Sequence, residues 1–442
     1  MRIGFFDTGK IINLFKKDFL RTIIFFFYLV SGGTKALLFL YGIHVPGDIT
    51  LLLGIVLCMI MGLHMMESYK NDSSLFLDFL NMSQKISIAL FMVFTFWLLM
   101  TLVYTYSSSY GFWKAILWLT VFIAFYYPFV IRVNPKLLFT LLFVFSLVAT
   151  LIYISKLDAS ISGADPGELD SGNFVASFYL LIGYLWGIVY LSLLYRKEFF
   201  WEGLLFEKHY MHIFALLIAL FLLFTTAARG PLVFCVLLTC PLVAYWFYKR
   251  LIRGFEAWHV VMLFIGGAGV VVLVSIIALS LSGGDFDPQG GVLSRTLFRL
   301  SLLFSDDKGA SVGARIGYIE KSIKFISDKY ILGYGIGSFT VVTTGVDERG
   351  YPHNIILEVW FELGMVGLIV FVCFLLSCAF AIKNASLYGM IIFLYLMLNA
   401  LKSSSLTDLR IMFGVLAVVT LYGGMNLTHS DKTEVISADK GG

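Results

Sequence analysis

Long apolar runs alternate with short polar connections over most of the chain, and one polar stretch of about 70 residues interrupts them near the C-terminal third. A helix needs about 20 apolar residues to cross the hydrocarbon core of a bilayer. By that ruler the pattern predicts about twelve membrane helices, near residues 20–43, 49–66, 86–106, 112–131, 136–156, 174–195, 210–228, 231–248, 258–281, 353–382, 386–402 and 409–427. The expected fold class is therefore all-α, a polytopic transmembrane helical bundle. It divides into an N-terminal bundle over 1–281 with about nine spans, a long external loop over 282–352, C-terminal helices over 353–427 and a polar tail over 428–442. The first run is too long for the apolar region of a signal peptide and has no small-x-small cleavage site, so it reads as a retained helix.

The polar stretch has structure of its own. From Gly313 to Gly333, Ile316, Ile319, Ile323, Ile326 and Tyr330 recur at helical spacing while Glu320, Lys321, Lys324 and Asp328 fall mostly elsewhere, which predicts an amphipathic helix along the membrane surface. Leu332 to Phe339 follows as Leu-Gly-Tyr-Gly-Ile-Gly-Ser-Phe. Its alternating glycines suit a tight turn or a backbone that closes on a ligand, but no Gly-Lys-Ser/Thr follows, so it is not a nucleotide phosphate loop. Pro352, His353 and Asn354 then open the next apolar run. This spacing places His353 in the first turn of that helix, where the helix dipole favours a neutral ring able to accept a proton.

Composition agrees with a membrane protein: 59% of the 442 residues are hydrophobic and 14% charged, against about 45–50% apolar in soluble domains. Basic residues set the orientation. Arg2, Lys10, Lys16, Lys17 and Arg21, then Arg132 and Lys136, then Arg196, Lys197 and Lys208, then Lys249, Arg250 and Arg253 fall on alternate connections, and the connections between them are nearly free of Lys and Arg. Both termini are expected in the cytoplasm and the 282–352 loop outside. All five cysteines fall inside predicted spans, which supports neither a disulfide framework nor a zinc site, and no basic patch with interleaved aromatics suggests nucleic acid.

Three arginines are expected at the outer face: Arg229 between two spans with almost no loop, Arg315 at the start of the amphipathic helix, and Arg410 at the start of the last span. Snorkelling would explain Arg229 and a salt bridge to Asp408 would explain Arg410 without any ligand. Asn354, Glu358 and Glu362 recur every four residues and share one helix face, and the carboxylates are expected to pair across the bundle with Arg229, Arg315 or Lys402. Lys35, His64 and Lys114 read as structural. A transporter or flippase is the alternative class. It would put charges near the midplane and broken spans in matching halves, whereas here the charges gather at one face.

The order Ala-Ala-Arg229-Gly, then Arg315, then Leu-Gly-Tyr-Gly-Ile-Gly-Ser-Phe, then Pro-His353-Asn354-Ile-Ile-Leu-Glu358 and Glu362-Leu-Gly364-Met-Val-Gly367, resembles the O-antigen polymerase and O-antigen ligase superfamily of bacterial membrane glycosyltransferases. The resemblance is specific over 313–371 and looser at 225–231. It implies transfer of a glycan from a polyprenyl-diphosphate carrier at the outer face of the inner membrane, with His353 as general base, Arg229 and Arg315 on the diphosphate, and no metal or other cofactor. Arg410, Asn354 and Glu358 join these as candidate substrate-binding residues. Implied partners are the lipid-linked donor and acceptor, membrane lipid, and a chain-length regulator and flippase of the same pathway. The segment Lys402 to Arg410, rich in serine and ending Asp-x-Arg, looks polymerase-like, and the ligase reaction onto lipid A core is the alternative.

Overall fold

The computed structural model describes residues 8–43, 45, 48–70, 80–161, 169–194, 209–226, 228, 230–240, 248, 310–383 and 387–422. Among them no strand occurs. The helices are α1 (Thr8–Leu29), α2 (Ser31–Leu40), α3 (Ile49–Lys70), α4 (Met82–Met100), α5 (Tyr110–Ile131), α6 (Pro135–Ile161), α7 (Leu169–Leu193), α8 (His209–Thr225), α9 (Ala310–Ile326), α10 (Phe339–Thr344), α11 (Ile355–Lys383), α12 (Leu387–Ser403) and α13 (Arg410–Tyr422). A further helical stretch covers Gly230–Cys240.

Five helices among the described residues are long and apolar enough to cross a membrane: Ile49–Tyr69, Met82–Val103, Tyr110–Ile131, Pro135–Ser155 and Ile355–Lys383. The expected count of about twelve is not reached on these residues. The first expected span is not straight, because the chain turns by 63° between Asp18–Leu29 and Ser31–Phe39. Leu180–Leu193, Phe214–Thr225, Gly389–Lys402 and Arg410–Tyr422 are apolar but short. The ninth expected span, 258–281, lies outside the described residues, as do 282–309 of the expected external loop. The class stands: a multi-pass, all-helical membrane protein, whose α3 carries Leu52, Ile55, Met59 and Leu63 exposed in a stripe suited to lipid.

The chain forms two compact units. One consists of Met1–Leu142, Tyr195–Phe206 and Tyr318–Gly442. Its local starts follow from sequence: Asn81 caps α4 reciprocally with Gln84, and Asn134 caps α6 ahead of Pro135. Phe91 of α4 touches Trp118 and Phe125 of α5, Phe374 of α11 and Phe413 of α13, an aromatic core shared by four helices. Buried Gln84 donates to the carbonyls of Thr420 and Leu421, satisfying the open end of α13.

The other unit consists of Phe143–Leu194 and Glu207–Gly317. Trp186 of α7 donates to Thr150 of α6 at 2.7 Å. Gly183 lets the chain at Thr226 and Ala228 press against α7, since a side-chain carbon there would lie 2.3 Å from the Ala228 methyl.

Within the first unit, α11 is broken. Gly364 takes φ 69°, ψ −173°, which only glycine adopts without strain, and it separates a short helix carrying Glu358 and Glu362 from a long apolar one. A break inside an apolar helix exposes backbone groups that need partners. The glycine-rich strap before α10 supplies them. The amides of Tyr334 and Gly335 donate to the carbonyls of Phe361 and Glu362 at 3.0 and 2.8 Å, and Trp97 donates to the carbonyl of Leu363. Beyond the break, the amide of Met365 donates to the Tyr330 carbonyl at 2.9 Å.

Candidate functional site

The loop from Gly345 to Asn354 is tied down at both flanks. Asp347 accepts from the hydroxyls of Ser107, Ser108 and Ser109 and from the Ser109 amide, so a carboxylate from a distant segment caps the start of α5. Partial burial opposes its ionisation, but these donors outweigh it and hold the carboxyl below the usual carboxylate range. Arg349 reaches both oxygens of Asp408 at 2.8 and 2.9 Å. Asp408 therefore pairs with Arg349, where the sequence suggests Arg410.

Asn354 accepts at its side-chain oxygen from the amides of Ile356 and Leu357, at 3.0 and 3.1 Å, and so caps α11. Its oxygen is thus committed to the helix. His353 stands one residue before the cap, outside the helix, which corrects the expected first-turn position. The cap needs a side chain that folds back onto the N–H groups, and asparagine does this where histidine does not. His353 adopts φ 59°, a left-handed conformation that costs a non-glycine residue about 1–3 kcal/mol and persists where surroundings enforce it. Its ring packs against those of Tyr318 and Tyr351, with centroids 5.6 and 4.3 Å away.

Behind the cap, Glu358 and Glu362 both reach Lys114 of α5. The ammonium lies 2.5 Å from Glu358 Oε1 and 2.7 Å from Glu362 Oε1, with all three side chains at 0% exposure. Ser405 and the Leu406 amide donate to the two oxygens of Glu358. Among the described residues both carboxylates pair with Lys114, where the sequence suggests Arg229, Arg315 or Lys402, and the Glu358 carboxylate is buried. The shared face of the two carboxylates was correctly implied by their spacing. Their partner was missed because it lies 244 residues earlier; its signal was an ammonium inside an apolar run, which requires a counter-charge.

Arg410 begins α13 with its guanidinium 5.4 Å from the centre of the Tyr28 ring, and its buried Nε has no hydrogen-bond partner among the described residues. Arg315 sits on α9, half-buried, without an ion pair among the described residues. Arg229 lies outside the described residues. The helix α9 ends at Ile326, short of the expected Gly333. Ile316 and Ile323 stay exposed while Ile326 packs with Tyr334, Phe339 and Phe361, and Tyr318 rests against that cluster. The isoleucine row is thus split between an exposed stripe and a packed end.

Among the described residues no three His, Cys, Asp or Glu side chains converge in a way that could hold a metal ion. What the arrangement offers is an imidazole held at the start of a membrane helix, with a rigid polar network behind it. Such a ring can accept a proton from a hydroxyl brought alongside. No curated protein matches the chain. Residues 214–372, which include Arg229, Arg315 and His353, match the family model described as O-antigen ligase, and this match supports a relation to the O-antigen ligase and polymerase superfamily.

Proposed function

We propose that the protein is a surface-polysaccharide polymerase of the bacterial cytoplasmic membrane. It transfers a glycan from a polyprenyl-diphosphate donor to the terminal sugar of a second lipid-linked repeat at the outer face, with both termini in the cytoplasm. The observation that carries this is His353, lifted out of α11 by its left-handed backbone within the matched segment. The acceptor hydroxyl gives its proton to His353 as its oxygen attacks the anomeric carbon. The bond from that carbon to the diphosphate breaks, and the electron pair leaves with the diphosphate. Attack opposite the leaving group inverts the anomeric centre.

The leaving diphosphate needs cations, and the arginine fork bonds phosphate oxygens in pairs. Arg229 and Arg315 take this role, and Arg410, whose buried Nε has no partner among the described residues, is a third candidate. With charge neutralised by arginine, transfer needs no divalent metal. Asn354 and Glu358 act from behind: one starts the helix, the other pins it to α5. A chain-length regulator and a flippase of the same pathway are the expected partners.

The description of the matched family, O-antigen ligase, favours a second reading in which the acceptor is lipid A core. The surface glycan of a deletion strain, resolved on a gel, separates the two. Core carrying one repeat is the polymerase result. Bare core with the whole ladder lost is the ligase result, and an unchanged ladder contradicts both.

A further inference from the structure

His353 is braced by a continuous run of rings. Tyr318 of α9 stacks on the imidazole at 5.6 Å with the planes 26° apart, and Tyr351 lies 4.3 Å away on a 48° tilt. Tyr318 meets Phe339 of α10 edge to face at 6.0 Å, Phe339 meets Phe361 of α11 at 5.3 Å, and Phe361 stacks on Tyr334 of the strap at 5.0 Å. Phe339 and Phe361 are buried, so the run is anchored in a packed cluster. The polar loop supplies one ring and the α9 helix the other, and the imidazole packs against both.

Resting on the reading of His353 as the base, we propose that Tyr318 and Tyr351 are positioning residues for the proton transfer. They fix the plane of the imidazole, and their ring faces stabilise the charge it acquires. The ring is neutral before it takes the acceptor's hydroxyl proton and cationic afterwards, while the oxygen bonds to the anomeric carbon and the diphosphate departs with the electron pair. An aromatic face attracts a cation within about 6 Å of its centroid, and both tyrosines lie inside that distance. The attraction grows as charge develops, so it lowers the barrier and not the energy of the bound substrates. The ring face is what matters, and phenylalanine keeps it.

The test measures kcat and KM of the purified full-length protein in lipid, with the lipid-linked repeat unit extracted from the source cells. Wild type is compared with Tyr318→Phe, Tyr318→Leu, Tyr351→Phe, Tyr351→Leu and His353→Ala, and thermal unfolding is recorded for each. Each leucine variant is expected to lose about tenfold in kcat with KM changed by less than about twofold, and each phenylalanine variant to stay within about threefold of wild type. If Tyr318→Leu does not fold, Tyr351→Leu carries the test. Leucine variants as active as their phenylalanine counterparts, a loss confined to KM, or a loss that follows the unfolding temperature would overturn the proposal while an inactive His353→Ala variant keeps the base. Full activity of His353→Ala would remove the base itself.

Discussion

An ammonium sealed between two carboxylates, with no exposed surface on any of the three, leaves Lys114 as the charge on which Glu358 and Glu362 both depend. Removing it strands two carboxylates in an apolar surrounding, and breaking a buried pair from one side costs about 3–5 kcal/mol. Lys114→Met should therefore lower the thermal midpoint of the purified protein sharply. Glu362→Gln, which leaves one ammonium facing one carboxylate, should lower it less; the reverse order would contradict the network. Asp347 behaves differently with pH. Its carboxyl is held below its ordinary range in the folded state, so its contribution is present above the ordinary carboxylate value and is lost as pH falls through the lowered one. The acid-induced loss of stability should weaken in Asp347→Asn. The arginines make a third demand. Lysine keeps the charge but loses the fork, so Arg229→Lys and Arg315→Lys should each slow transfer roughly ten- to hundredfold, as expected for a lost charge-assisted hydrogen bond of about 1.5–3 kcal/mol made in the transition state. Wild-type rates in both would mean that the diphosphate is held by other groups.

The strap and the broken helix depend on each other. A side-chain carbon on Gly333 would lie 2.5 Å from the Gly364 amide nitrogen, and one on Gly364 would lie 2.2 Å from the Ile331 carbonyl oxygen. Both glycines also have positive φ, where a side chain costs about 1–2 kcal/mol even with space available. Gly333→Ala and Gly364→Ala should each destabilise the protein, whereas Gly313→Ala, with nothing within 4 Å, should not. Equal midpoints for all three would contradict the interlocked backbone. Much of this element was legible as local chemistry: the i, i+4 carboxylates, the asparagine before an apolar run and the alternating glycines all announce themselves. The use of the glycines was not. Gly364 stands in an apolar run with no sign of a break, and only the packing of the strap reveals one whose amides and carbonyls need those partners. His353 was legible as a helix-start residue but not as lying beyond the cap, because Asn354 competes for the same N–H groups.

For the whole molecule, apolar content located the described helices but not which of them are straight and long enough to cross a membrane, since run length says nothing of a 63° bend or of a helix that stops after thirteen residues. Orientation rests on the basic connections. A cysteine placed within Gly283 to Gly291 should react with an impermeant thiol reagent from outside, and one within Lys249 to Gly254 should not; the opposite pattern would turn the site to the cytoplasm. The central claim is that this membrane bundle moves glycan between lipid carriers with His353 as its base. The most direct measurement is transfer from a purified polyprenyl-diphosphate-linked repeat by the wild-type protein and by His353→Ala, both folded to the same thermal midpoint. The expected result is polymer from the first, in the presence or absence of a chelator, and none from the second. Polymer of normal length and rate from His353→Ala would contradict it.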